Sequence, residues 1–268
     1  MSIVTISRGS YSRGKEVAEK LCGALQYDCL SREIVLEASE HFNIPEVRLI
    51  RALHDAPSVL DRFTYGKERY VAFFRAALLK RVRKDNVVYH GLAGHFFLQR
   101  VPHVLKVRIT ANLEDRVREE IQREGISAEE ARQILVKDDG ERRKWSMHLY
   151  GADTWDPMLY DLVVHLDNMG VDDAVAIILS TLQRPCFMTT DKSQRRLDDL
   201  TLSAQVDAAL VNEFPKAASS ARDGEVFVSV RASLVEEQSV AKKVKSIAEK
   251  VEGVKMIHVN VVPFIIKD

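Results

Sequence analysis

Two glycines and a lysine near the start of the chain narrow its possible folds more than anything else in it. Gly9-Ser10-Tyr11-Ser12-Arg13-Gly14-Lys15 has the spacing G-x-x-x-x-G-K. Before it stands Ile3 to Ile6, a β-branched run of the kind that forms a buried strand. After it, Val17, Ala18, Leu21, Cys22, Ala24 and Leu25 recur at helical spacing. A strand, a glycine-bearing turn and a helix in that order bend the backbone so that successive N–H groups face one point. The helix N-terminus adds a favourable partial charge, and a lysine reaches outward from it. That is the local physics of a phosphate-binding loop. It makes Gly9, Ser10, Tyr11, Ser12, Arg13, Gly14, Lys15 and Glu16 the candidate contacts of a nucleotide. The alternative is an ordinary strand-to-helix turn carrying a surface lysine.

The pattern continues as strands alternating with helices. Asn86 to Tyr89, Val104 to Ile109 and Tyr160 to Leu166 read as strands. Arg69 to Lys84, Leu113 to Arg123, a helix opened by the capping box Ser127-Ala-Glu-Glu130, and Asp172 to Leu182 read as helices. Ser31 suits the N-cap of a helix over Arg32 to His41, and Pro45 the first turn of another. The alternation predicts a three-layer, mostly parallel sheet with helices on both faces over residues 1–183. Residues 184–196 lose periodicity and read as a linker. Residues 197–268 read as a small α+β module: a helix to Phe214, a polar loop around Ala217 to Gly224, a strand from Glu225 to Arg231, a helix opened by Ser233-Leu-Val-Glu236, and one or two closing strands.

The 268 residues carry 39 basic and 39 acidic side chains, so the net charge is zero. Bulk attraction to nucleic acid or to an acidic membrane is not expected of such a chain. Cys22, Cys29 and Cys186 lack C-x-x-C spacing, which argues for reduced thiols and against a zinc site. The start of the chain does not read as a secretory leader, and no apolar run approaches the roughly 20 residues of a membrane helix. A cytoplasmic location is expected.

Several stretches together resemble a known family. Ile6-Ser-Arg-Gly-Ser-Tyr-Ser-Arg-Gly-Lys-Glu-Val-Ala18 resembles the opening of cytidylate-kinase-like proteins, with Lys15 where they carry an arginine. Ser31-Arg-Glu-Ile34, Leu113-Glu-Asp-Arg116-Val, Asp139-Gly-Glu-Arg142-Arg-Lys144 and Asp156-Pro-Met-Leu-Tyr160-Asp161-Leu follow in the family's order. The resemblance implies a nucleoside monophosphate kinase fold, with ATP and Mg²⁺ as cofactors. It implies transfer of the γ-phosphoryl group to a nucleoside monophosphate, CMP or dCMP. Lys15, Arg142 and Arg143 are then the catalytic candidates, and Arg8, Arg32 and Arg116 the substrate-binding ones. Arg116 has a local alternative, pairing with Glu119 or Glu120. No residue is singled out as a metal ligand. A kinase for another small phosphate acceptor is one alternative, and two departures favour a further rival, a nucleotide-binding regulator that has lost transfer. The hydroxyl that holds Mg²⁺ after the lysine is replaced by Glu16, and the family's Gly-Arg is Gly91-Leu92 here. The C-terminal module distantly resembles BON-type modules, which implies a regulatory partner or a homodimer contact.

Overall fold

The computed structural model describes residues 2–31, 64–91 and 94–263. The helices expected at Arg32–His41 and after Pro45, Arg32 itself, Leu92 and the last residues of the closing strand lie outside the described residues. Contacts divide the described chain into two units, one of residues 2–31, 84–91 and 94–190, the other of residues 64–83 and 191–263.

In the first unit, strand β1 (Ile3–Arg8) runs into helix α1 (Gly14–Leu25), and β2 (Asp28–Leu30) follows. In the second unit stands α2 (Gly66–Val82). The first unit resumes with β3 (Val87–His90), the short α3 (Gly94–Phe97) and β4 (Val104–Ala111). Then come α4 (Leu113–Glu124), the long α5 (Ala128–Tyr150), β5 (Leu162–Leu166) and α6 (Val171–Leu182). The strands pair in the order β2-β3-β1-β4-β5, all parallel. Parallel strands need both faces covered, because each strand is apolar on both sides. One face is covered by α1 and α6: Val4, Ile6, Val107 and Ile109 pack on Val17, Leu21, Ala174 and Ile178. The opposite face carries Thr5 and Tyr89, which α3 approaches at Gly94. The rings of Phe96 and Phe97 there meet Tyr150 at the end of α5. This is the expected three-layer sheet with helices on both faces, with the phosphate loop at the carboxyl end of its central strand. Ligands bind at that edge in open parallel sheets.

The second unit has its own core. Helix α7 (Asp191–Leu210) is followed by strands β6 (Ala218–Arg222) and β7 (Glu225–Ala232), helix α8 (Glu237–Ala248) and β8 (Met256–Pro263). Leu202, Val206 and Leu210 of α7 pack with Val226, Val228 and Val230 of β7 and with Val244 and Ala248 of α8. β6 and β7 are antiparallel, while β7 and β8 are parallel. Helix α2 belongs to this unit, where Arg75 Nη1 lies 2.9 Å from the Asp207 carboxylate.

Some elements differ from the sequence reading. β2 lacks a strong apolar pattern and passes unnoticed between α1 and the next segment. The polar stretch read as a loop contains β6, an edge strand of small residues. A turn at Asp223 (φ 53°) and Gly224 (φ 90°) joins it to β7. Two consecutive left-handed residues give the turn that matches strand twist. Helix α7 begins at Asp191, inside the stretch read as a linker. Ser127 caps α5 as expected, accepting from the Glu130 N–H at 3.2 Å. Ser233 instead donates its hydroxyl to the Glu236 carboxylate, and a single turn of 3₁₀ helix, Leu234–Glu236, precedes α8.

Candidate active site

The phosphate loop is a strained, packed turn. Tyr11 (φ 53°) and Arg13 (φ 56°) are left-handed without being glycine. Such backbone persists where the surroundings over-determine it. The Ser12 hydroxyl supplies part of that, donating to the Gly9 carbonyl at 3.1 Å or the Ile109 carbonyl at 3.3 Å. Gly14 supplies the rest: a Cβ there would stand 2.7 Å from the Arg8 Cβ and 3.3 Å from that of Ile109. The close approach of α1 to β1 therefore demands glycine. The first N–H groups of α1 lack intrahelical acceptors and carry the positive end of the helix dipole.

Two arms from α4 and α5 close on the loop. Arg116, on α4, donates from Nε to the Ser10 carbonyl at 2.6 Å and from Nη1 to Asp139 of α5 at 2.8 Å. The Asp139 carboxylate also accepts the Ser10 N–H at 3.4 Å. Arg116 thus pairs with neither Glu119 nor Glu120; Glu120 takes Arg123 instead. The Arg123 guanidinium lies 4.1 Å from the centre of the Tyr11 ring and donates to its hydroxyl at 2.6 Å. Val117, Ala131 and Leu135 form the apolar seam beneath the α4–α5 pair, with Tyr11 packed against it.

The expected cations divide into two groups. Arg142 reaches back from α5 and donates to the Arg8 carbonyl at 3.4 Å, across 134 positions of sequence. Arg8 and Arg142 are both held below the ordinary arginine value, first by burial; each also feels other charges, Arg142 acting on Arg8 to the same effect. Neither makes an ion pair with a carboxylate among the described residues. Lys15, Arg143 and the neighbouring Arg13 and Lys20 face water. Lys15 is 63% exposed, with Nζ 3.5 Å from Glu19. Arg143 grips Asp153 and lies 4.6 Å from the centre of the Trp155 ring. Arg13 and Lys20 both pair with Glu16. Consecutive helical residues point about 100° apart, so the Arg142-Arg143-Lys144 run cannot all face one ligand.

One cation escaped the sequence reading. Arg108, on β4, is 7% exposed. Its Nη1 lies 3.5 Å from the Ser7 hydroxyl and 3.4 Å from that of Tyr160. It opens on a cavity of about 270 Å³, lined also by Gly9 and Ser12 of the phosphate loop, Arg116, Asp139, Thr110 and Trp155. The alternation Lys106-Val-Arg108-Ile was its only signal, and an ordinary solvated strand face gives the same pattern.

Magnesium finds no ready protein cage. The described residues hold no cluster of His, Cys, Asp or Glu suited to a metal ion. Glu16, in the hydroxyl's place, is already bridged to Arg13 and Lys20. Among the described residues the arrangement fits a metal carried on nucleotide oxygens and water.

A model described as the cytidylate kinase-like family matches residues 3–168. The chain belongs to the cytidylate kinase-like family. Among curated relatives, it is 29% identical over 104 residues to a cytidylate kinase of Thermococcus kodakarensis, covering 39% of this chain and 53% of that protein. It is 33% identical over 97 residues to one of Thermococcus sibiricus, covering 36% and 49%. The chain thus spans about half the length of these relatives. A cytidylate kinase of Sulfolobus acidocaldarius matches at 25% identity over 182 residues, covering 68% of this chain and 94% of that protein. A solved structure, an uncharacterized protein from Eubacterium ventriosum, shares the fold with a TM-score of 0.52 at 18% identity, covering 69% of this chain and 100% of that one. The family match takes in the phosphate loop, the Arg116–Asp139 contact, Arg142 and Arg108, and it stops before the three-stranded unit. No described helix is long and apolar enough to cross a membrane.

Proposed function

We propose that this chain transfers the γ-phosphoryl group of ATP to a nucleoside monophosphate, CMP or dCMP. The observation that carries the reading is the convergence of Arg8 and Arg142 on the phosphate loop, with neither in an ion pair among the described residues. Phosphoryl transfer asks little covalent chemistry of a protein. It asks that donor and acceptor be held in line and that cations stand where charge develops. The loop amides and the start of α1 would hold the donor phosphates. Arg142, carried on the α5 arm, would stabilise the transferred group, with Arg8 beside it. Lys15 would leave Glu19 for the phosphates at small cost, since exposed ion pairs contribute little. Arg143 would act by position, fixing the α5 arm to the Asp153–Trp155 turn. Magnesium bound with ATP would neutralise phosphate charge.

One observation favours a second reading, nucleotide binding without transfer: Glu16 stands in place of the metal-holding hydroxyl and is tied to two cations. The experiment is ATP consumption with Mg²⁺ across the common monophosphates, with Lys15→Ala and Arg142→Ala as controls. Turnover of CMP or dCMP that both substitutions abolish supports the kinase. Calorimetric ATP binding with no turnover on any acceptor overturns it in favour of the second reading.

A further inference from the structure

Cys22 and Cys29 lie outside the phosphate loop, and nothing in phosphoryl transfer uses them. The way α1 ends brings them together. Gln26 closes the helix in the left-handed region at φ 56°, and its N–H donates to the Cys22 carbonyl. The Tyr27 N–H donates to the same carbonyl at 3.1 Å. Such a cap turns the chain back on itself, so that β2 runs beside the last turns of α1. Cys29 is the middle residue of β2 and pairs in register with Val88 of β3. Paired residues on neighbouring strands share a face, as do residues two apart in one strand. Val88 belongs to the apolar cluster under α1 together with Cys22, and Cys29 packs against that cluster. His90, two residues beyond Val88, lies on the same face. The ends of three elements in the first unit thus gather two thiols and an imidazole.

The three side chains are not equivalent. Cys22 is 7% exposed and His90 6%, whereas Cys29 is half-buried and reachable from solvent. The His90 Nδ1 atom is buried and has no hydrogen-bond partner among the described residues. Cys29 is held below the ordinary thiol value by its contact with the Cys22 thiol first and by His90 second; burial and Glu19 of α1 oppose this. Cys22 is held above that value, by Cys29 first and by burial second. The pair therefore shares its protons unequally: Cys22 keeps its own, and Cys29 carries the negative charge. The thiolate, not the thiol, is the nucleophile. Among the described residues the group makes no metal site.

We propose that Cys22 and Cys29 form a peroxide-reactive dithiol, in which Cys29 is the attacking sulfur and Cys22 the resolving one. This chemistry is separate from phosphoryl transfer at the loop. The Cys29 thiolate attacks one oxygen of a hydroperoxide. An S–O bond forms as the O–O bond breaks, and the other oxygen leaves as hydroxide or alkoxide and takes a proton from solvent. Cys29 becomes a sulfenic acid, oxidised by two electrons while the peroxide is reduced by two. The Cys22 sulfur then attacks the Cys29 sulfur. An S–S bond forms, the S–O bond breaks, and the oxygen leaves as water with the Cys22 proton. The disulfide ties the end of α1 to β2, and an external thiol reverses it by exchange.

The test uses the full chain. Reduced protein is treated with an equimolar amount of hydrogen peroxide and analysed by peptide mass spectrometry. A bridged Cys22–Cys29 peptide, lost on adding dithiothreitol, is the expected product. Cys22→Ser removes the resolving sulfur, so Cys29 is expected to accumulate as the sulfenic acid and to be trapped by dimedone. Cys29→Ser is expected to give neither product, and Cys186→Ser to behave as wild type. Iodoacetamide labelling of wild-type Cys29 is followed against pH beside N-acetylcysteine. Its midpoint is expected below about pH 7, against about 8.5 for an ordinary thiol. The wild-type measurements decide the matter even where a variant fails to fold. Three results overturn the proposal: no Cys22–Cys29 bridge forms in wild type, Cys29 labelling titrates with or above the reference thiol, or Cys29→Ser gathers dimedone at Cys22 as fast as Cys22→Ser does at Cys29. A failed kinase assay leaves all of these readouts unchanged, so the two readings fail separately.

Discussion

The contact between Arg116 and Asp139 is the strongest internal restraint on the phosphate loop, and its energy can be worked from the geometry. The Arg116 side chain is 9% exposed and that of Asp139 16%, so neither is well hydrated. Arg116→Ala removes the 2.8 Å ion pair and the 2.6 Å bond to the Ser10 carbonyl together. Hydrogen bonds to charged groups contribute about 1.5–3 kcal/mol each, and breaking a buried pair by one partner costs about 3–5 kcal/mol. Partial exposure brings the expected loss to about 3 kcal/mol for Arg116→Ala. Asp139→Ala gives up the same ion pair and only a weak 3.4 Å contact to the Ser10 N–H, so about 2 kcal/mol is expected. The double variant should recover part of the sum, with a coupling of about 1.5 kcal/mol. Urea unfolding followed by tryptophan fluorescence measures this cleanly, because both tryptophans, Trp145 and Trp155, lie in the same unit as the loop. A coupling below about 0.5 kcal/mol would refute the reasoning, since it would mean that the two groups are hydrated independently.

Two further outcomes follow from the same geometry. Gly14→Ala forces a Cβ to 2.7 Å from that of Arg8, an atom with no freedom to swing away, and should cost about 1–3 kcal/mol and reduce nucleotide binding. Gly140→Ala, in the α5 interior with open space around it, should instead stabilise by about 0.5–1 kcal/mol; paired thermal melts check both. His95 has its folded pKa depressed to about 3 from 6.5, so its contribution is fully present above the unfolded pKa. As pH falls below 6.5 the unfolded chain takes up a proton that the folded chain refuses, and about 2–3 kcal/mol is lost near pH 4.5. His95→Phe should flatten that part of the stability–pH curve, and an unchanged slope would show that the ring titrates freely.

What was legible in the sequence was what depends on neighbours along the chain. The strand, turn and helix at the start of the chain could be read from glycine spacing and apolar period, although the left-handed residues of the turn are Tyr11 and Arg13 and not the glycines. The α/β alternation followed for the same reason, as did the Ser127 cap. β2 and β6 were not legible. Their residues carry little apolar signal, and they are strands only because a neighbouring strand offers its edge.

The site divides along the same line. Gly14 and the start of α1 were determined by the sequence itself, since no other residue fits where a Cβ would stand 2.7 Å from that of Arg8. The roles of the arginines were decided by the tertiary structure. The sequence places Arg142 and Arg143 side by side. Only the packing of α5 turns one to Arg8 and the other to Asp153 and Trp155. Arg108 is the clearest case. In the sequence it is an alternating polar position on a strand. Its contacts come from Ser7 and Tyr160, 101 and 52 positions away. Desolvation is a property of what folds over a residue, and a local pattern carries no record of it.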